Sequence, residues 1–496
     1  MKRLTAIFLL LALLLGTAAG CSEKPADENG TTGSATADTP AADQQTEPEP
    51  EEETVLTDGL PESDMQGFEL NILHHSQEWL AWAYNVLEAD ELTGEALNDA
   101  IYARTDAVQN RFNAKIVTET MREVNPDVIA QLAVSGDSSY DLALMYDLRI
   151  TGAIQYLADM NDLPYISLDQ AWWNPYASSI FTIGGKQYAS SGNFSLSVLS
   201  RAGGYAFNAD MMNALNLGSP YEHVKNGTWT VDVMMQMADA ANQDINGDSQ
   251  QTNDDQFGIE SSVKEHFLRM IFGSGVALIT KDEAGYPVFS LSTDDVAITK
   301  MQHILDVSSH GGWYNTTSQN VDSSDSMVAG TFQNGRALFV VSNPNSLSNM
   351  RDYDFNFGFV PVPKYDETQT VYYAPSFGAE LSVLPMSYDT ASAEQIGTLL
   401  EAMALYSQQN IVPEYIETLV KTKYARDAES AEMLAMAFDG IYFDFGINAW
   451  QEQVAAKLLK GSFVGLAGNF GSVLQTMQKS VDSEIKRLIK QIDKAG

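Results

Sequence analysis

The amino-acid sequence predicts an α/β fold, because strand-like and helix-like segments alternate along its first third. Residues 68–73 alternate between apolar and polar side chains, which is typical of a half-buried strand. Residues 96–112 repeat apolar side chains every three or four positions, as one face of an amphipathic helix does. Residues 140–145 are typical of a buried strand. This alternation favours mostly parallel sheets, whose ligands lie beyond the carboxyl ends of the strands.

Other segments extend the same pattern. Ile116 begins a further strand, and residues 128–134 form a short helix. A later helix begins near residue 230, where the side chain of Thr230 or Asp232 can accept the free N–H groups of its first turn. Trp229 at that entry is interpreted as core packing.

Length, charge and cysteine content exclude several classes of protein. The 496 residues exceed one ordinary core and predict two or three domains or lobes. The formal net charge of −38 argues against a nucleic-acid partner, because phosphates are bound by basic groups. A single cysteine allows neither an internal disulfide nor a cysteine-based zinc site.

The N-terminus has the features of a secretory signal peptide over residues 1–20. Lys2 and Arg3 precede an apolar run at residues 4–15, and small residues then lead to Cys21. This arrangement resembles a bacterial lipobox, which implies lipidation of Cys21. We therefore expect an extracellular protein held to the cytoplasmic membrane by a lipid anchor only, on a surface of the Gram-positive kind. The alternative is a signal peptide without lipidation and an incidental cysteine.

Residues 21–65 predict a disordered acidic tether. The stretch 22–64 holds thirteen acidic side chains and one lysine, with almost no large apolar residues. Such a segment buries too little surface to offset the entropy lost on ordering. The folded body is then expected from residue 66 onward, and it is acidic in its own right.

An oxygen-rich loop at residues 244–255 predicts a cation site. Oxygen-bearing side chains occupy the loop positions that fold around calcium in hand-type loops. Ser249 replaces the usual glycine and Asp255 is shorter than the usual glutamate, so an Asx-rich surface turn is the alternative. We expect one structural Ca²⁺, away from the ligand cleft. The candidate metal ligands are Asp244, Asn246, Asp248, Gln250 and Asp255.

Six stretches together carry a family resemblance that extends from about Gly67 to the C-terminus. They are residues 172–174, 182–188, 220–230, 360–369, 423–427 and 443–446. With these stretches the chain resembles the extracellular solute-binding lipoproteins of bacterial ABC importers, of the sugar-binding, family 1-like sort. The resemblance implies a two-lobed type II fold of the periplasmic-binding-protein kind, with hinge strands between the lobes.

The resemblance also implies a lobe organisation and a role. The N-terminal lobe would comprise residues 66–190 and 376–425, and the C-terminal lobe residues 191–375 and 426–496. Crossing segments are expected at residues 188–195 and 376–385. Hinge closure would trap the ligand, and ABC permease transmembrane subunits would read the closed form. We expect a monomer that captures an oligosaccharide for transport. The alternative is a surface polysaccharide-binding lipoprotein without a transport role.

Candidate ligand contacts follow the predicted strand ends. In sugar binders an aromatic ring covers C–H groups while carboxylate, guanidinium and amide groups bond to hydroxyls. For each residue alone, a surface or capping role is an equally good interpretation. The candidates are His75, Ser76, Gln77, Trp79, Tyr146, Asp147, Arg149, Asn193 and Asn343. The adjacent Trp172 and Trp173 are interpreted as a packed structural corner.

Motifs of catalysis are missing from the sequence. It contains no nucleophile elbow of the form G-x-S-x-G, no H-E-x-x-H and no phosphate-binding P-loop. Abundant carboxylates always permit a glycosidase-like pair, but abundance is no evidence for that geometry. We therefore expect no enzymatic activity.

Overall fold

The computed structural model describes residues 59–250, 252, 254–308, 313–315, 330–350, 352–421, 428–463 and 470–495. Contacts divide the chain into Met1–Thr57 and one compact unit, Asp58–Gly496, which contains all the described residues. The predicted signal peptide, Cys21 and the predicted tether up to residue 58 lie outside the described part. Among the described residues, no helix combines the length and apolarity needed to cross a membrane.

The described strands, β1 to β15 in chain order, follow the alternation that the sequence predicts. They are Phe68–His75, Ala114–Met121, Leu142–Tyr146, Thr182–Ile183, Lys186–Gln187, Gly204–Asn208, Phe257–Ser261, Thr280–Lys281, Pro287–Val288, Trp313–Asn315, Ala337–Ser342, Phe357–Pro361, Ala374–Pro375, Glu380–Val383 and Ile441–Tyr442.

The described α-helices, α1 to α17 in chain order, lie between and after these strands. They are Ala96–Phe112, Pro126–Ser135, Ile150–Ala153, Pro175–Phe181, Ser197–Ser200, Ala209–Ala214, Pro220–Lys225, Val231–Ala241, Val263–Gly273, Asp295–Ser308, Pro344–Ser348, Ala393–Tyr406, Val412–Lys421, Ala428–Asp439, Phe445–Asn448, Ala456–Phe463 and Phe470–Ala495. Short 3₁₀ segments are Asp147–Arg149, Ile154–Tyr156, Met160–Asp162, Leu291–Thr293 and Thr390–Ser392, and π segments are Ser407–Ile411 and Gln451–Ala455.

Two larger sheets organise these elements. The first has the strand order β14-β3-β1-β2, with β1 parallel to both β2 and β3 and with β14 antiparallel to β3. The second has the order β10-β7-β11-β6-β12, in which β6 pairs antiparallel with β11 and β12. The α/β class is confirmed. Both sheets are mixed, with four parallel and three antiparallel pairs among the described strands, so parallel pairing predominates only slightly. Two parallel strands must be joined by a crossover connection. Strand β14 instead joins the first sheet from much later in the chain and runs antiparallel to β3.

Local sequence signals fix several element boundaries. The helix predicted at residues 96–112 has those bounds, and Asn113 ends it in a left-handed conformation with φ of 47°. Asn125 caps α2, and Pro126 occupies its first turn, where a missing N–H costs nothing. Thr230 caps α8 by accepting the N–H of Val233 at 3.4 Å. Of the two capping candidates at that helix, the threonine is therefore the one used.

The two segments expected to cross between lobes lie side by side. The backbone N–H of Ser190 donates to Ser382 O at 3.0 Å, and the N–H of Ser382 donates back to Ser190 O at 2.8 Å. Strand β13 lies directly before the second segment and pairs with β15. These residues therefore connect β14 of the first sheet with elements outside that sheet.

Tryptophans predicted to be structural are buried. Trp172 and Trp173 both donate their indole N–H groups to the carboxylate of Glu401, at 2.7 and 2.8 Å. Trp229 is fully buried and donates to Pro361 O at 2.9 Å. Each buried indole thus has the hydrogen-bond acceptor that its N–H requires.

The folded body begins earlier than the sequence suggests. Leu60 is buried in the core of the first sheet, and the N–H of Met65 donates to Phe112 O at 2.8 Å. Residues 60–65 therefore pack on the body, which corrects the boundary placed at residue 65. Their polar composition hid the few apolar contacts that hold them.

Candidate functional site

The carboxyl end of the first sheet gathers residues from three strands. β1 ends at His75 and its parallel neighbour β3 ends at Tyr146. β14 runs in the opposite direction, so its first residue, Glu380, pairs with Tyr146. Side chains that are hundreds of residues apart therefore lie beside one another at this edge.

Three aromatic rings form a cluster at that edge. Trp79 lies 5.4 Å from Trp82 and 5.6 Å from Tyr146, and Trp82 lies 5.9 Å from Tyr146, measured between ring centroids. We call Trp79, Trp82 and Tyr146 the aromatic cluster. Trp82 is 37% exposed and the other two rings are half-buried, so the cluster presents ring surface to solvent.

Gly378 allows the chain to pass directly against the aromatic cluster. Its φ of +78° is a conformation that glycine adopts without strain. A Cβ at this position would lie 3.4 Å from Trp82 Nε1 and 3.5 Å from the Tyr146 hydroxyl. The Trp82 indole also donates to Gly378 O at 2.9 Å. Gly378 therefore fixes the orientation of the exposed tryptophan.

His75 and Glu380 form a buried pair beneath the cluster. The Nδ1 of His75 lies 2.7 Å from Glu380 Oε1, which also accepts the backbone N–H of His75 at 2.9 Å. The imidazole stacks on Trp79, with centroids 4.6 Å apart and planes 14° apart. His75 Nε2 and Glu380 Oε2 are buried without a hydrogen-bond partner among the described residues. The pair thus supports the Trp79 ring from below.

Asp147 is fully buried next to Tyr146. Its carboxylate accepts N–H groups from Gly378 at 3.0 Å, Leu148 at 2.8 Å and the Asn448 side chain at 2.8 Å. Burial raises the pKa of Asp147 to about 7, although these three donors favour the ionised form. The group can therefore change its protonation near neutral pH.

Two arginines lie on the other side of the segment that contains Gly378. Arg201 Nε donates to Phe377 O at 3.1 Å, and the guanidinium of Arg269 lies 5.6 Å from the centroid of the Phe377 ring. Arg269 pairs with Glu265 at 3.3 Å on α9. Burial lowers the pKa of Arg201, and Glu265 opposes that effect. A charged cluster therefore adjoins the aromatic one.

A cavity of about 310 Å³ opens beside the residues that follow Asp147. Its walls come from the loop after β3 and from the C-terminal helices, and they are rich in charged and amide side chains. Residues that line it include Leu148, Arg149, Trp450, Gln451, Glu452 and Arg487. Arg149 is exposed and lies 3.5 Å from Glu123, while Gln451 accepts Lys264 Nζ at 2.9 Å.

Not all the candidates from the sequence meet at this edge. The amide of Gln77 donates to the carbonyls of its own loop, at Leu80 and Ala83. Ser76 is half-buried after β1. Asn193 donates to Gln408, and Asn343 caps α11 in a capping box with Ser346. The backbone carbonyl of Ser76 accepts the N–H of Trp79 at 3.0 Å, but in the described part of the chain no side chain of these four residues forms a hydrogen bond with the aromatic cluster.

Sequence reasoning missed several residues that the fold brings to the site. Trp82 follows Trp79 by three positions, so the same loop already signalled it. Glu380 gave no signal, because it lies 305 residues from its partner His75. Arg269 was also missed, since a lone arginine on a helix has no distinguishing pattern. Glu380 and Arg269 are therefore identified by strand order and helix packing rather than by a local sequence pattern.

The oxygen-rich loop at residues 244–255 brings three carboxylates together. The side chains of Asp244, Asp248 and Asp255 each offer an oxygen, and these oxygens lie within 4.8 Å of one another. Ser249 adopts the left-handed conformation, with φ of 61°, at the position where glycine was expected. Asn246 accepts the N–H of Asp248, and Gln250 is exposed. The donor set therefore fits a hard divalent cation.

The fold is similar to that of several solved structures. One match is the cyclic alpha-maltosyl-1,6-maltose binding protein from Arthrobacter globiformis, with a TM-score of 0.53, 15% identity, and coverage of 85% of this chain and 100% of that one. Another is UspC from M. tuberculosis, with a TM-score of 0.55, 14% identity, and coverage of 84% and 100%. No protein-family model matches the chain, and neither does any curated protein sequence.

At these identities the likeness establishes a shared fold. The chain therefore has the mixed α/β fold of these two structures, which agrees with the fold that the sequence resemblance implied. By its name, the Arthrobacter globiformis structure is a binding protein.

Proposed function

We propose that this protein is the substrate-binding lipoprotein of an ABC importer and captures an oligosaccharide in the cleft beside the aromatic cluster. The observation that carries the proposal is the aromatic cluster itself, with partly exposed rings next to the buried carboxylate of Asp147. Aromatic faces cover the C–H surfaces of a pyranose, and polar groups at their edge accept its hydroxyls.

The cavity lined by Leu148 and Arg149 is a second place where part of a saccharide could lie, although none of the three rings of the aromatic cluster lines it. Its volume of about 310 Å³ is at the lower end of the usual range for ligand pockets, which favours a few sugar units. Its walls carry amide and charged groups of both signs, which suit a ligand with many hydroxyls. The sugar-binding neighbour from Arthrobacter globiformis has the same fold, which adds to the case for a saccharide.

The proposed role in transport would depend on closure of two lobes about a hinge. The paired segments at Ser190 and Ser382 are suited to be the strands about which two lobes close, with the boundaries that the sequence predicts. Two ABC permease subunits would then recognise the closed form of the monomer, and Cys21 would carry the lipid anchor. Genes for two such subunits beside this one would favour import, whereas their absence would favour the alternative of surface polysaccharide binding.

A structural Ca²⁺ at residues 244–255 is a separate part of the proposal. Asp244, Asp248 and Asp255 would supply carboxylate ligands, with Asn246 and Gln250 as the further candidates. Their mutual proximity within 4.8 Å supports the assignment. The cation would neutralise like charges that otherwise repel one another.

Isothermal titration calorimetry of the full chain against neutral and acidic oligosaccharides tests the main proposal. We expect saturable binding of at least one saccharide, and chromatography of the mixture should recover the saccharide unchanged. Release of shorter products would contradict a pure binding role. Failure of every saccharide to bind would reject the assignment of the cleft.

A further inference from the structure

Arg201 and Arg269 form a cationic pair in which Arg269 is buried and Arg201 is half-buried. Arg269 is only 1% exposed, and its Nε and one Nη are buried without hydrogen-bond acceptors among the described residues. Its remaining contact with an acceptor is Glu265 Oε2 at 3.3 Å. A buried charge with open donors is costly unless a partner completes it.

Arg201 has no directly bonded carboxylate among the described residues. Its guanidinium donates to Phe377 O at 3.1 Å and to Trp82 O at 3.3 Å, and both acceptors are neutral carbonyls. Asp147 lies close enough to interact with Arg201 electrostatically, but its hydrogen bonds come from neutral donors elsewhere. Within the described part of the chain, two permanent positive charges therefore share one directly bonded carboxylate, that of Glu265.

Two guanidiniums with one directly bonded carboxylate among the described residues, and with Asp147 nearby as a second acidic group, stand out because the chain as a whole carries a formal charge of −38. Their position is also significant. Both guanidiniums contact Phe377, whose neighbour Gly378 lies against Trp82 and Tyr146 of the aromatic cluster. A ligand that stacks on the cluster would thus have the two arginines within reach of a substituent.

We propose that the Arg201–Arg269 pair binds an anionic group of the captured saccharide, so that the ligand is an acidic sugar rather than a neutral one. This rests on the proposed function. A carboxylate or a sulfate ester offers several acceptor oxygens, and the planar guanidinium donates to such a group in bidentate fashion. The anion would occupy the donors of Arg269 that are left open and balance the second charge.

The test compares matched ligands on the full chain by calorimetry. The probes are neutral, uronate and sulfated trisaccharides of the gluco, galacto and manno series. We expect a uronate or sulfated form to bind at least about tenfold more tightly than its neutral counterpart. Its affinity should also fall as ionic strength rises, because the contact is between charges. The uronate and sulfate arms identify which anion is recognised.

Variants distinguish recognition from a structural role. Arg201→Gln and Arg269→Gln should each reduce the preference for the anionic form about tenfold. Arg111→Gln is the matched control, because Arg111 also stacks on a phenylalanine and pairs with a carboxylate, but at the surface. If Arg269→Gln fails to fold, Arg201→Gln and the ionic-strength series still decide the question.

The outcomes separate this inference from the function on which it rests. Tight binding of neutral trisaccharides, equal to or better than the anionic forms, would overturn the inference and leave the proposed function intact. An anionic preference that survives both arginine substitutions would also overturn it. Binding of no saccharide would reject both.

Discussion

Asp444 and Asp147 are two buried residues, and the side chain of Asn448 connects the backbone N–H of Asp444 with the carboxylate of Asp147. The Asn448 side chain donates to Asp147 Oδ2 and to Ser376 O, both at 2.8 Å, and its own oxygen accepts the N–H of Asp444 at 3.0 Å. Asp444 accepts N–H groups from Leu278, Ile279 and Gly446. The carboxylate of Asp444 is therefore held in place by backbone N–H groups, which do not depend on the side chains at those positions.

The pKa of Asp444 makes stability depend on pH. Burial raises its pKa from 3.8 to about 7, so between these values the folded chain holds a proton that the unfolded chain has lost. The resulting stabilisation is complete below about pH 4 and is lost as the pH rises through 7. Relative to Asp444→Asn, the wild-type chain should therefore lose about 2 kcal/mol of unfolding free energy between about pH 5 and pH 8. Urea denaturation at both pH values measures this, and parallel losses in the two proteins would contradict it.

Tyr146 and Trp79 are the rings whose loss should affect binding most. Because each ring contributes about 1–2 kcal/mol of stacking and burial, Tyr146→Ala and Trp79→Ala should each weaken saccharide affinity about tenfold. Calorimetry gives the affinity, and circular dichroism shows whether the variants fold. Tyr102→Ala, on α1, is the control and should bind normally. Unchanged affinity in both cluster variants would place the ligand elsewhere.

At the scale of elements, the acidic loop at residues 244–255 is held by its own side chains. Asp244 accepts the N–H groups of Gly247 and Ser249, and Asp255 accepts those of Ile245 and Thr252. These bonds hold the loop in a turn in which carboxylates face one another. Backbone N–H donors also lower the pKa of Asp255, which keeps that ligand ionised.

Calcium should stabilise this loop if the proposed site exists. We expect calcium chloride to raise the melting temperature of the wild-type chain by several degrees, since binding to the folded state alone adds stability. The increase should disappear in the double variant Asp244→Ala, Asp248→Ala. The double variant Asp90→Ala, Glu91→Ala removes two exposed acids elsewhere and should keep the response. Equal responses in all three proteins would reject the site.

At the scale of elements, the local sequence pattern predicted individual helices and strands better than it predicted which strands pair with one another. The helix at residues 96–112 was predicted with its true bounds, because its apolar period and its terminal residues are local signals. The mixed character of both sheets was not predicted. In the first sheet, for example, β14 comes from a distant part of the chain, and its direction relative to β3 depends on the tertiary fold. Asn193 and Asn343 were proposed as ligand contacts, yet their amides bond to Gln408 and Ser346.

At the scale of the whole molecule, the proposed ligand capture would involve closure about the crossing segments. Ser190 and Ser382 are hydrogen-bonded to each other and would form the axis of that motion. We expect the radius of gyration from X-ray scattering to decrease when a binding saccharide is added. Tyr146→Ala should show a smaller decrease at the same ligand concentration, because less protein is occupied. A radius that does not change at saturation would contradict hinge closure.

Sequence alone located several elements, among them the strands near residues 68–73 and 140–145 and the helix at residues 96–112, and it identified Trp172, Trp173 and Trp229 as structural. It also placed Trp79, Tyr146 and Asp147 at strand ends, because periodicity and turn chemistry are local properties. Only the tertiary structure decided that Glu380 meets His75, that Gly378 lies against the aromatic cluster, and that Arg201 and Arg269 adjoin Phe377. These contacts join residues far apart along the chain. They depend on strand order, which no local pattern encodes.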